Sequence, residues 1–359
     1  MKKVVFFVDK LTSSGASKII SWIVNNADLE DAQISLVTYM PIADQREVGK
    51  SVNRINFSIK ENNRVKRSLL VIKQLRRLFR KENTDLCIAF LPMECLYALT
   101  AAMGTKTKVI VCERSDPYLE KSPIVDFARV TFRFADGAVF QTQEAMDYFP
   151  KVLQRKSIVI ANPAFKRETA SYVPYKERPN EVSFSGRLFI KQKRQDVLFK
   201  AIRKIIDDGN DIVLNIYGDG PDREKLESLA KEMGLNEKIY FAGNVRNVQE
   251  RISNSKMLVL SSDYEGIPNV IIEALQCGVP VVSTDCSPGG ARLLIENGKN
   301  GYVVPREDYK SLADHIEELL HNDAKAELMS QNALEIIHQF DETSILLQWE
   351  TYINSLLEG

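Results

Sequence analysis

Through the first half of the chain, short apolar runs alternate with longer stretches in which apolar side chains recur every three or four positions. The runs predict strands at 3–9, 33–39, 53–59, 85–91, 108–113, 137–142 and 157–161. The periodic stretches predict helices at 15–27, 62–82, 92–103, 122–134 and 143–149. A polar segment from Phe165 to Pro179, with Pro174 and Pro179, reads as a linker. A second alternating series follows, with strands at 181–186, 212–217, 238–242, 257–261, 279–283 and 301–304. Helix 195–207 places Val197, Leu198, Ala201, Ile202 and Ile205 on one face, and helix 221–233 opens with Pro221 and stops at Gly234. In the tail, Ile345, Leu346, Trp349, Ile353 and Leu356 return at helical spacing. Strand and helix alternating at this spacing predict an α/β fold of two doubly wound, Rossmann-like domains. The expected boundaries are 1–165, a linker at 166–179, 180–340 and a C-terminal helix at 341–359. Ligands are expected at the carboxyl ends of the strands, in a cleft between the domains.

Composition narrows the class. The chain has 359 residues, 44% of them hydrophobic, and holds no apolar run near the ~18 residues of a membrane span. The opening run Val4–Val8 meets Asp9 and Lys10 with no small-residue cleavage site, so it reads as a buried strand rather than a signal peptide. Five cysteines with no CxxC pair fit a reducing compartment, and a cytoplasmic location follows. The zero net charge conceals two unequal halves. Residues 1–165 carry 25 Lys and Arg against 17 Asp and Glu (+8), and the remainder carries 23 against 31 (−8). A basic first half suggests an anionic partner on that side.

The stretch from Ser262 to Pro280 carries the sharpest chemical signal. Glu265 stands in a loop and Glu273 lies eight positions later on the helix that follows, bracketing Gly266, Ile267, Pro268 and Asn269. Gly266 permits a tight turn, and Pro268 suits a first helical turn, where its missing N–H goes unused. Free N–H groups at such a helix start favour a phosphate. A phosphate seat flanked by two acceptor carboxylates suits a nucleotide-diphosphate sugar. Gly186 and Arg187 end the first strand of the second series, with Lys191, Lys193 and Arg194 in the next loop. Cations aimed at a departing diphosphate stabilise the transition state more than the ground state. His315, His321 and His338 all fall in C-terminal helices, so a histidine base is not expected; neither a metal nor another cofactor is expected.

The second series resembles the retaining glycosyltransferases of family 4, whose fold is called GT-B. The resemblance runs through Gly186-Arg187-Leu188 with Lys193, Tyr217-Gly218-Asp219-Gly220-Pro221 and Phe241-Ala242-Gly243-Asn244-Val245. It continues through the Glu265 and Glu273 pair, Gly278-Val279-Pro280-Val281-Val282 and Asn300-Gly301-Tyr302-Val303-Val304-Pro305. It implies that Arg187 and a lysine grip the diphosphate, Glu273 holds the ribose, Glu265 contacts the donor sugar, and backbone near Asn244 to Arg246 meets the base. Counting back from Asp196 favours Lys193 over Lys191 as that lysine. It also implies a C-terminal helix that returns to the first domain. That domain is similar more loosely: Gly15-Ala16 stands where relatives carry a Gly-Gly-Ala loop near the sugar phosphates. Cys112-Glu113-Arg114-Ser115-Asp116-Pro117 resembles a Glu-Arg-Asn-Asp-Pro stretch, with Glu113, Arg114 or Asp116 as candidates to position an acceptor hydroxyl. Phe140-Gln141-Thr142 and Asn162-Pro163 read as architecture at strand ends.

Residues 60–81 combine nine Lys and Arg with interleaved Leu, Ile and Phe, the pattern of a basic amphipathic helix that can lie on an anionic membrane surface. Nucleic acid is not expected, because no aromatic stacking platform accompanies the cations. The sequence therefore predicts a cytoplasmic retaining glycosyltransferase, peripheral on the inner membrane face. It would move a hexosyl unit from a nucleotide-diphospho-sugar, UDP preferred over GDP, to a glycan or lipid-linked glycan acceptor for a surface polysaccharide. The rival readings are another GT-B sugar-nucleotide enzyme, such as an epimerase or phosphorylase, and a non-catalytic sugar-nucleotide-binding protein.

Overall fold

A computed structural model describes residues 1–12, 15–41, 46–50, 52–166 and 172–358, which form two compact units. Unit 1 comprises Met1–Pro163 with Glu342–Gly359, and unit 2 comprises Ala164–Asp341.

Unit 1 is built on seven parallel strands: β1 (Lys2–Phe7), β2 (Ala32–Thr38), β3 (Asn53–Asn56), β4 (Leu86–Phe90), β5 (Lys108–Cys112), β6 (Gly137–Phe140) and β7 (Ser157–Val159). Their spatial order is β3-β2-β1-β4-β5-β6-β7. The central strand β4 is buried at every residue, as expected of a parallel sheet covered on both faces. The edge strand β3 is polar and mostly exposed, which discourages pairing with another chain. The helices are α1 (Gly15–Asn26), α2 (Arg64–Glu82), α3 (Pro92–Ala102), α4 (Pro123–Thr131), α5 (Gln143–Asp147) and α6 (Lys151–Gln154). Helix α2 packs Val71, Leu75 and Phe79 into the core that α3 also lines. The expected helix 122–134 ends its α-helical part at Thr131 and tightens into a 3₁₀ turn over Phe132–Phe134. The C-terminal helix Glu342–Glu358 completes this unit. Its Trp349 lies 6.0 Å from the Phe90 ring, and its Tyr352 hydroxyl accepts from the Ala138 N–H at 2.9 Å.

Unit 2 repeats the plan with six parallel strands: β8 (Glu181–Ser185), β9 (Val213–Tyr217), β10 (Ile239–Gly243), β11 (Met257–Leu260), β12 (Val281–Thr284) and β13 (Gly301–Val304). The order is β10-β9-β8-β11-β12-β13. Its helices are α7 (Ile190–Lys193), α8 (Gln195–Asp207), α9 (Arg223–Glu232), α10 (Val248–Ser253), α11 (Asn269–Leu275), α12 (Gly290–Leu294), α13 (Tyr309–His321) and α14 (Asp323–Ile336). Residues 172–179, read from sequence as linker, pack on this unit. The Tyr175 side chain is buried and its hydroxyl donates to the Leu319 carbonyl at 2.8 Å, while Arg178 donates to the carbonyls of Val173 and Gly278.

Candidate active site

A parallel sheet offers a ligand site where its strand order reverses, because the loops leaving the two flanking strands diverge there. In unit 2 that point lies between β8 and β11. The loops leaving these strands carry Gly186 and Arg187 on one side and Glu265 to Asn269 on the other, so sites far apart in sequence become neighbours.

Glycine makes the approach possible. Gly218 has φ +132°, and a Cβ placed there would lie 2.1 Å from the Gly186 carbonyl oxygen. A Cβ on Gly220 would lie 2.3 Å from the Leu188 carbonyl oxygen. The β8 and β9 loops therefore touch backbone to backbone, tied by the Gly186 N–H to the Tyr217 carbonyl (2.9 Å) and the Leu188 N–H to the Asp219 carbonyl (3.1 Å). The Gly218 N–H donates in turn to the Gly243 carbonyl at 2.8 Å. That bond sets exposed Asn244 and half-buried Val245 at the end of β10, next in the row of strand ends.

The charged centre is the pair Lys193–Glu265, with Nζ 2.5 Å from Oε1 and both side chains largely enclosed. The Lys193 side chain runs across the face that Gly186 leaves bare, its Nζ 3.5 Å from where a Cβ would stand. The Ser262 hydroxyl donates to the same Glu265 oxygen at 2.7 Å, and the Glu265 N–H donates to the Ser287 carbonyl at 2.8 Å. The Glu265 carboxylate is thus held by a hydroxyl and its main chain by a backbone bond. The short helix α7 is held on the β11 loop by the Ser261 hydroxyl donating to the Lys193 carbonyl (2.7 Å) and the Asp263 N–H donating to the Gln192 carbonyl (2.8 Å). Arg194 ends α7 in the left-handed conformation, φ 48°. Its guanidinium bridges Asp196 and Asp263 at 3.1 and 3.0 Å. Hydrogen bonds to Asp196 first, then to Glu307 and Asp263, hold it further above the ordinary arginine range. Burial pushes the Cys286 thiol up to about 12, and the charge of Glu265 adds to the effect, so the cysteine beside the pair stays neutral.

Of the two candidate lysines, Lys193 meets Glu265, whereas Lys191 lies exposed on the same turn. Arg187 is exposed, its guanidinium 5.6 Å from the centre of the Phe189 ring, and its carbonyl accepts from the Gln195 side chain at 3.0 Å. Pro268 does not enter the first turn of α11 as expected. It is the capping residue, with ψ 100°, and Asn269 begins the helix. Ile267 is buried, while Asn269 and Glu273 are half-buried on α11. Gly290, unremarked in the sequence, opens α12 against this turn: a Cβ there would lie 2.1 Å from the Gly266 carbonyl oxygen. Ser262 and Gln192 also belong to the site's framework, and neither has a signal in spacing alone; Arg194 follows Lys191 and Lys193 as the third cation of their loop after β8.

The candidates of unit 1 take other positions. Gly15 begins α1; Ser13 and Ser14 of the same loop lie outside the described residues. Glu113 and Asp116 are buried rather than presented to solvent. Arg129 donates to Glu113 Oε2 at 2.7 Å, and the Ser115 hydroxyl donates to Oε1 at 2.8 Å. The Asp116 carboxylate accepts from the Tyr118 N–H at 2.7 Å. These carboxylates hold the 113–120 loop in shape. Arg114 donates to Asn162 Oδ1, which also accepts from Gln141 at 3.0 Å, and burial draws the guanidinium down to about 10.

Residues 166–335 match the family model described as glycosyl transferases group 1. Over 97% of both chains, the protein is 26% identical to a Campylobacter jejuni enzyme. That enzyme is named GalNAc-α-(1→4)-GalNAc-α-(1→3)-diNAcBac-PP-undecaprenol α-1,4-N-acetyl-D-galactosaminyltransferase. Two solved structures share the fold. The lipopolysaccharide outer core galactosyltransferase WaaB superposes with a TM-score of 0.78 at 19% identity, covering 98% of this chain and 99% of that one. HepE of Anabaena, solved with UDP-glucose, gives 0.79 at 20% identity, with 99% and 100% covered.

Proposed function

We propose, for a chain that is a glycosyltransferase of the GT-B fold, a retaining transfer of a hexosyl unit from a nucleotide-diphospho-sugar to a lipid-linked glycan acceptor. The observation that carries this reading is the Lys193–Glu265 pair at the strand-order reversal of unit 2, beside Gly186, Arg187 and the turn into α11. UDP is the preferred donor nucleotide, supported by the fold shared with a structure that binds UDP-glucose. The lipid-linked acceptor is supported by the undecaprenyl diphosphate in the name of the Campylobacter relative. Such an acceptor would bring the enzyme to the inner face of the cell membrane.

In this reading Arg187 and Lys193 meet the diphosphate, Glu273 accepts from the ribose hydroxyls, and Glu265 faces the sugar. The bond from the anomeric carbon to the phosphate oxygen breaks while one to the acceptor oxygen forms on the same face. The acceptor's proton passes to the leaving phosphate oxygen, so no separate base is needed. Lys193 neutralises the charge that grows on that oxygen, and Glu265 supports the positive charge on the sugar ring. Because Glu265 already accepts from Lys193 and Ser262, no large rearrangement of charge is required when the donor arrives.

Preorganised electrostatic groups of this kind are worth about 10²–10³ in turnover each. Arg187→Ala and Glu265→Gln should each lower kcat by that order, measured as nucleoside diphosphate release with a panel of nucleotide sugars and acceptors. Near wild-type turnover in both variants would refute the assignment. Product formation without any acceptor would instead indicate an epimerase.

A further inference from the structure

One face of unit 1 carries large apolar side chains outside its core. In α4 and the turn after it, Ile124, Phe127, Val130 and Phe134 are 57%, 61%, 59% and 73% exposed. Their spacing of three and four residues puts them on one outward stripe, while Ala128, Arg129 and Phe132 occupy the buried side. Single exposed apolar residues are ordinary, whereas a continuous stripe with two phenylalanines marks a contact surface.

The surroundings of the stripe indicate what it contacts. Exposed Lys121 and Arg133 stand at its two ends. Helix α3 packs against both α4 and α2, so the three helices form one layer over the sheet. On α2 the apolar side of the middle and last turns goes into the core, through Val71, Leu75 and Phe79. What α2 presents outward is Lys73, Arg77, Arg80 and Lys81, with Val65 and Leu69 exposed in its first turns. Sequence alone assigned both attraction and insertion to the segment 60–81. The structure divides them between two helices, the cations mainly on α2 and the apolar stripe on α4.

We propose that the α2–α4 face seats unit 1 on an anionic lipid surface, the α4 stripe entering the boundary between headgroups and acyl chains and the α2 cations resting on lipid phosphates. An amphipathic helix with a basic rim gains affinity from both terms, buried apolar area and attraction to anionic lipid. A second copy of this chain is the poorer occupant. A two-fold contact sets a patch against itself and would bring Lys121, Arg133 and the α2 cations towards one another. The inference deepens the reading of a lipid-linked acceptor, but it is tested without any acceptor.

The experiment is co-sedimentation of the full chain with phosphatidylcholine vesicles, with and without phosphatidylglycerol. Wild type should pellet with the phosphatidylglycerol vesicles and less so as salt rises. Phe127→Ser combined with Phe134→Ser should weaken that binding at least ~10-fold, since each exposed ring is a large apolar area available to the lipid. Lys73→Glu with Arg77→Glu should remove the preference for phosphatidylglycerol. Because the altered side chains are exposed, far-ultraviolet circular dichroism and the melting temperature should not change. Three results would overturn the proposal: wild type that ignores phosphatidylglycerol vesicles, a serine pair that pellets as wild type does, or a wild-type dimer that the serine pair converts to monomer. The melting shift produced by UDP reports on unit 2 separately. Wild type that binds vesicles but shows no shift with UDP or GDP would sink the functional reading and leave this surface supported.

Discussion

At the scale of single residues, the site depends on side chains that are absent as much as on those present. Gly218 and Gly209 both have positive φ, +132° and +92°, but they differ in surroundings. A Cβ on Gly218 meets the Gly186 carbonyl, whereas one on Gly209 meets nothing within 4 Å. Gly209→Ala should therefore cost only the backbone term, about 1–2 kcal/mol. Gly218→Ala adds overpacking of about 1–3 kcal/mol and pushes apart the loops that carry Arg187 and Lys193. Thermal melts with and without UDP check this: Gly209→Ala should keep the UDP-induced shift and Gly218→Ala should lose it. Equal behaviour of the two variants would refute the close-approach argument. The sequence set Gly186 and Gly218 at the ends of predicted strands. Their partners were not visible, because a clash between Gly218 and Gly186 depends on register between two strands. The same limit applies to Glu113. As a charged residue leaving a strand it looked available to a substrate, and only the fold reveals Arg129 on top of it.

At the scale of elements, strong periodicity was legible and single turns were not. Helix α8 falls at the residues its apolar face predicts, because five apolar positions on one side fix both length and phase. Helix α7 is four residues long, too short to show a period, and it is held by contacts with the β11 loop rather than by propensity. The chain also shows that proximity in sequence does not decide membership of a unit. The C-terminal helix follows unit 2 directly but packs in unit 1, where Trp349 is fully buried against Phe90. Trp349→Ala should destabilise unit 1 by about 3–5 kcal/mol through the cavity it leaves. Hydrogen exchange should show lost protection in peptides from β4 to β6 and unchanged protection in β8 to β12. Loss spread equally over both units would mean that the helix is not specific to unit 1.

At the scale of the molecule, the division into a basic and an acidic half has a counterpart in how unit 1 responds to pH. Glu94 is buried in the first turn of α3, and the Tyr39 hydroxyl donates to its carboxyl at 2.8 Å. Burial, reinforced by the charge of Asp9, raises it from the usual carboxyl value to about 8. Asp9 is itself raised by burial. The folded chain thus keeps a proton on Glu94 that the unfolded chain has released. The stabilisation from this group is complete below the unfolded value and is lost as pH rises towards about 8. Across that window the slope is at most ~1.4 kcal/mol per pH unit. Both tryptophans, Trp22 and Trp349, belong to unit 1, so intrinsic tryptophan fluorescence follows this unit alone. Denaturant midpoints read by fluorescence should fall between pH 5 and pH 8 in wild type. Glu94→Gln keeps an acceptor for Tyr39 and removes the titration, so its midpoint should fall less steeply, with Asp9 supplying the remaining slope. Parallel pH profiles for the two proteins would show that Glu94 ionises in the folded chain as it does in the unfolded one. The unit with the excess of cations would then owe none of its pH response to this buried acid.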